Sequence, residues 1–278
     1  MIVHDILLQA TTHPDPTPNW AIEQAASLSV SLAARLSLGV CKVHIPQATS
    51  WLANKLVNID GIVAEENRKS SANADALGKS FGLHVPPELM GEIFAIDIRS
   101  SVSHSQFAVR ARTYDLSIIP IYPYAAMEYF AEGLVFESGR PVLLMPELKS
   151  SALTFDRITI AWDGSRVAAR ALADAIPLAG MATSISVVQI VGDKDLSRAA
   201  SAADAVRNLT LHGLKAEAIE LPLEGGDAGE TIQAFCQRHA SNLLVMGAFG
   251  HSRAREFVLG GVTRTILDHP RLPVLLSH

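Results

Sequence analysis

Residues 242–261 read NLLVMGAFGHSRAREFVLGG, and residues 115–134 read DLSIIPIYPYAAMEYFAEGL. The two stretches lie over one another without a gap. Phe130 then meets Phe257 and Gly133 meets Gly260, while Pro120 meets Gly247 and Pro123 meets Gly250. Each is a short apolar run that ends in turn residues and passes into a helical pattern, as a buried strand followed by a helix does. A chain that makes this passage twice carries an internal repeat.

Working outward, strand patterns in the second half are DRITIAW (156–162), SISVVQIV (184–191), LKAEAIEL (214–221), NLLVM (242–246) and LPVLLS (272–277). Helical patterns fill the intervals, at about 165–180, 195–212, 227–240 and 254–268. The first half repeats the order with HDILLQA (4–10), LGVCKVHI (38–45), LMGEIFAI (89–96), LSIIP (116–120) and PVLLMP (141–146). Its helical patterns lie at about 19–37, 60–80, 102–113 and 125–138. Near-continuous apolar strands joined by helices predict parallel sheets covered on both faces, and right-handed crossovers make them doubly wound. The expected fold is therefore α/β, two tandem Rossmann-like five-stranded sheets of strand order 3-2-1-4-5 with helices on both faces. PELKSSALTF (146–155) has linker composition, which predicts domains over 1–147 and 152–278.

The chain has 278 residues, 49% of them hydrophobic and 18% charged, enough for buried cores and too apolar for disorder. A formal charge of -5 gives no electrostatic reason for a nucleic acid or an anionic membrane as partner. MIVHDILLQATTHPDP has no basic stretch leading into an apolar one, and no apolar run approaches the roughly 20 residues that span a bilayer. The expectation is a cytoplasmic protein. Cys41 and Cys236 stand in separate elements without ligand spacing, so they read as reduced, buried thiols.

Doubly wound folds bind ligands beyond the carboxyl ends of the strands, where the strand order reverses. In the second half that point lies between the strand ending in AWDGS and the strand ending in MGAFGHS. Glycine lets backbone N–H groups approach an anion without an intervening Cβ, and a following helix N-terminus adds partial positive charge. Gly247, Gly250 and Gly260 bring the chain back to the crevice about three helical turns later. His251, Ser252 and Arg253 can add donors, and Asp163 can accept from a nucleoside hydroxyl or amine.

VMGAFGHSRAREFVLGGVT resembles the signature of the universal stress protein family, G-2x-G-9x-G followed by Ser or Thr. ITIAWDGS is similar to that family's first strand with its terminal Asp, and both halves keep the family's element order. The resemblance implies the fold of the adenine nucleotide alpha-hydrolases and an adenine nucleotide, ATP or AMP/ADP with Mg²⁺, in the C-terminal half. Gly247, Gly250 and Gly260 would contact ribose and phosphates, followed by Gly261, Val262 and Thr263. Ala161 and Asp163 would flank the adenosine, with Ile190 as an apolar wall. Gly261 departs from the pattern, since the family has Ser or Thr there, and Thr263 stands two residues on as a partial substitute. The resemblance also implies that the fifth strands pair across a pseudo-twofold axis, an intramolecular pseudo-dimer. Further association into a homodimer and the identity of a protein partner stay open.

In the first half, Pro120 and Pro123 remove two donors from the cradle and Thr11 stands in place of Asp163, so that half is expected not to bind nucleotide in the family manner. Other readings remain beside this one. DGS can be a turn with Ser165 as N-cap, and Arg253, Arg255 and Arg264 a solvated helix face. No Ser-His-Asp, P-loop or HExxH pattern nominates a catalytic set. The alternatives to a nucleotide-binding stress protein are a nucleotide-independent scaffold of the same fold and a weak ATPase.

Overall fold

The computed structural model describes residues 2–46, 58–99, 104–123, 127–149, 153–192, 200–249 and 261–278. The first half supplies β1 (Asp5–Thr11), β2 (Arg35–His44), β3 (Met90–Arg99), β4 (Leu116–Ile121) and β5 (Val142–Pro146). The second supplies β6 (Arg157–Ala161), β7 (Ser184–Val191), β8 (Ala216–Pro222), β9 (Leu243–Gly247) and β10 (Val274–Ser277). The helices are α1 (Asn19–Leu32), α2 (Ile59–His84), α3 (His104–Ala111), α4 (Met127–Glu137), α5 (Arg166–Ala175), α6 (Ala202–Leu211), α7 (Ala228–Arg238) and α8 (Gly261–Asp268).

Each half keeps the order 3-2-1-4-5, all parallel, and the two merge into one sheet, β3-β2-β1-β4-β5-β10-β9-β6-β7-β8. The seam is antiparallel, with Leu143 opposite Leu275. It consumes the two apolar edges that would otherwise be open to pairing with other chains.

The registers repeat as the sequence alignment requires. Ile6 faces Leu116 in one half and Ile158 faces Leu243 in the other. The residue opening the fourth strand also plays the same part twice. Asp115 Oδ2 accepts the N–H groups of His4 (2.9 Å) and Asp5 (3.2 Å), and Asn242 Oδ1 accepts that of Arg157 (3.0 Å).

One register difference follows from proline chemistry. Pairing of β6 with β9 runs to Ala161–Met246, whereas pairing of β1 with β4 stops at Leu8–Ile118. The Ser117 N–H points to β5, donating to Pro141 O at 3.2 Å, so alternation directs position 120 towards β1. Pro120 has no N–H to give there. The ladder ends early at the mouth of the first half.

Helix ends depart from the sequence pattern where a cap intervenes. The helical pattern over 19–37 closes at Leu32, because Ala33 takes a left-handed conformation (φ 50°) and its N–H caps Ser29 O and Val30 O. Arg35 then begins a strand, its N–H donating to His4 O at 2.8 Å.

Two apolar layers flank the sheet, and both run through both halves. One includes α1, α5 and α6 residues, the other α3, α4, α7 and α8 residues. The stretch of linker composition is part of the first layer, with Leu153 and Phe155 both buried in it. Leu153 N–H donates to Ser27 Oγ (3.3 Å), and Gln24 Nε2 donates to Leu148 O (3.4 Å). The two halves are therefore stitched by core packing as well as by the seam.

Gln9, in the middle of β1, is fully buried with neither amide atom in a hydrogen bond of normal geometry. It meets the Cys41 thiol, which burial pushes up to about 12 and which therefore stays protonated. A buried unpaired amide costs about 1–3 kcal/mol. Gln9→Met, which keeps the length and removes the amide, is expected to raise stability by about 1–2 kcal/mol in urea unfolding. A lowered midpoint would show that the amide is satisfied.

Candidate functional site

At the point where the strand order of the second half reverses, β6 and β9 lie side by side and parallel, which puts their carboxyl ends together where such folds bind ligands. On the β6 side, Trp162 N–H continues the ladder to Val188 O (2.8 Å), and the buried indole Nε1 donates to Ala200 O (2.8 Å). Asp163, half-buried, accepts the Ser165 N–H on Oδ1 at 3.0 Å. Between them Gly164 has φ 68°, a conformation glycine adopts without cost. Ser165 is the N-cap of α5, its Oγ accepting from Ala168 N–H at 3.2 Å. The turn reading of DGS thus holds for Ser165, and Asp163 takes part in it through one oxygen.

On the β9 side stands Gly247. A Cβ there would lie 2.5 Å from both Val167 C and Ala168 N, and 2.7 Å from Val167 Cγ2. Backbone atoms cannot yield that much, so the missing side chain is what lets the first turn of α5 rest on the end of β9. From the sequence alone, the proline at the matching position 120 left a ligand as the better reason for this glycine. Its packing role becomes visible only when α5 and β9 are in contact.

Ile190, Met246, Ala248 and Phe249 belong to the apolar layer on one face of the sheet, and Ala161 and Val262 pack against that layer. Thr263 is buried on α8, whereas Gly261 is exposed and a Cβ on it would meet nothing within 4 Å. Among the described residues, no crowding therefore enforces glycine where the family pattern has a hydroxyl. Arg264 is exposed and pairs with Asp268 at 3.8 Å, as a solvated helix face does. Gly250, His251 and Gly260 lie outside the described residues, as do Ser252, Arg253 and Arg255. Among the described residues no group of three or more His, Cys, Asp or Glu side chains is arranged to hold a metal ion.

At the matching place in the first half, the chain bonds to itself. Thr11 N–H donates to Thr17 Oγ1 (2.8 Å), Thr17 N–H donates to Thr11 O (3.0 Å), and Thr17 Oγ1 shares a hydrogen bond with Tyr122 OH (3.2 Å). Both threonines are buried. Gly133, the retained third glycine of this half, has a packing reason as well, because a Cβ on it would run into the His104 ring. Sequence reasoning also missed Trp162 as the anchor of the segment before α6. Its indole beside a motif Asp was the available signal.

Residues 154–278 match the model of the Universal stress protein family. That half is a universal stress protein domain. The universal stress protein Slr1230 of Synechocystis sp. (strain ATCC 27184 / PCC 6803 / Kazusa) is 31% identical over 147 residues, covering 52% of this chain and 49% of that protein. The chain thus spans about half the length of this relative. A universal stress protein from Archaeoglobus fulgidus DSM 4304 superimposes over 98% of this chain and 95% of its own, with a TM-score of 0.70 at 15% identity. A functionally unknown protein from Pseudomonas aeruginosa PAO1 covers 99% of this chain and 92% of its own, with a TM-score of 0.56 at 15% identity. At such identities the likeness is one of fold, and it extends beyond the universal stress protein domain to the first half. No helix among the described residues is long and apolar enough to cross a membrane.

Proposed function

We propose that the universal stress protein domain, over 152–278, binds an adenine nucleotide at the carboxyl ends of β6 and β9 and acts through regulated protein interactions in a stress response. The observation that carries this reading is the joint presence, at one switch point, of the Asp163 turn and a glycine at 247 that leaves no side chain between β9 and the start of α5. Ala161, Ile190 and Val262 offer an apolar wall for a base. Gly261, the exposed first described residue of α8, is proposed to offer its N–H to a phosphate. Gly250, His251, Gly260 and Thr263 are proposed to complete the cradle, and Mg²⁺ would neutralise the phosphates it binds. The first half, over 1–147, is proposed as a degenerate copy whose mouth is closed by Thr11, Thr17 and Tyr122.

Mass spectrometry of protein denatured straight after purification, and calorimetry with ATP–Mg²⁺ at millimolar concentration, test this reading. Bound ATP, ADP or AMP is expected. Gly250→Pro should then abolish binding, with circular dichroism of the same variant showing whether the fold is kept, because Tyr122 before Pro123 does not take the left-handed conformation that Phe249 has before Gly250. Neither co-purified nucleotide nor calorimetric binding would favour the nucleotide-independent scaffold, for which the packing role of Gly247 already supplies a structural reason.

A further inference from the structure

Phe136, in the last turn of α4, reaches from the first half to the backbone that leaves β9 in the second. We propose that Phe136 is a positioning residue for the candidate nucleotide site, so that the half whose own mouth is closed supports the mouth of the other. This inference rests on the nucleotide reading above. The Phe136 ring lies 4.2 Å from that of Phe249 at 35°, and 4.8 Å from that of His278 in an edge-on arrangement at 67°. His278 Nδ1 lies 3.0 Å from Ala248 O, and Ala248 N–H donates to Ser277 O at 2.8 Å. The two residues after Gly247 are therefore fixed from both sides.

Phe249 needs that support. Its φ of 57° is in the left-handed region, where a side chain with a Cβ is strained. Such a conformation persists only when the surroundings over-determine it. Here they are the Phe136 ring and the apolar cluster that buries Phe249. The support runs one way. In the repeat alignment Thr263 stands where α4 has Phe136, and Tyr122 stands where β9 leads to Phe249, so the reverse ring pair cannot form. Tyr122 instead turns its hydroxyl to Thr17.

The test uses the full chain as Phe136→Ala and Phe136→Tyr, read by amide hydrogen exchange and by ATP–Mg²⁺ calorimetry. Phe136→Ala is expected to speed exchange at Ala248 by about tenfold while Leu244, inside β9, is unchanged, because the loosening is local. The ATP dissociation constant should rise by about tenfold as well. Phe136→Tyr, which keeps the ring, should restore both. The inference is overturned by unchanged exchange at Ala248, by faster exchange with unaltered affinity, or by equal acceleration at Leu244. If the wild type binds no ATP, the nucleotide reading falls, and the exchange data alone still decide whether Phe136 shapes this backbone.

Discussion

Phe155→Ala is expected to cost about 3–5 kcal/mol of stability, a large share of the total for any domain. The ring is 2% exposed in the apolar layer that joins α1 of the first half to α5 and α6 of the second. Truncation leaves a cavity that neither half can close alone, so the loss is felt by both. Denaturant unfolding followed by far-ultraviolet circular dichroism should remain a single transition at a lower midpoint. Lys149→Ala, exposed in the same stretch, should change stability by no more than about 0.5 kcal/mol. Two separate transitions in the wild type would show that the halves are independent and that the segment between them is a tether.

Gly247→Val should remove nucleotide binding altogether and cost about 1–3 kcal/mol or more through overpacking. The added atoms meet the backbone of Val167 and Ala168, which can move only if α5 lifts from β9, and that helix starts from the turn holding Asp163. Gly261→Ser is the contrasting change. Its Cβ has open space, and its hydroxyl would add a hydrogen bond to a charged phosphate, of about 1.5–3 kcal/mol. ATP affinity should then rise tenfold or more by calorimetry, with little change in thermal unfolding. A Gly247→Val protein that still binds ATP, or a Gly261→Ser protein that binds it no better, would place the ligand elsewhere.

The strand order and the repeat were legible in the sequence because apolar runs such as LSIIP and NLLVM keep their spacing and their turns. The register of β4 and β9 followed from a gapless alignment, and Asp115 and Asn242 now show why their positions match. The core role of Leu153 and Phe155 was hidden by the Pro, Lys and Ser residues around them, which set the composition of the stretch but not its burial. Likewise Ala33 gives no sign in isolation that it will take a left-handed conformation and end α1. In the site, the glycine pattern and an anion cradle were legible from the residues, and the adenine nucleotide was inferred from resemblance. The contact of Gly247 with α5 and the tilted ring contact of Phe136 with Phe249 join residues far apart in sequence, so no periodicity or spacing records them.

The antiparallel β5–β10 seam has the form of a twofold interface, yet its two sides belong to one chain. Between identical subunits every substitution at such a seam occurs twice, and any change on one side is mirrored on the other. Covalent fusion lifts that obligation. A phenylalanine at 136 and a threonine at 263 occupy equivalent places, so the two copies differ where a symmetric pair could not. The tandem chain thereby gains an inequality between its halves that a symmetric dimer of single copies is forbidden.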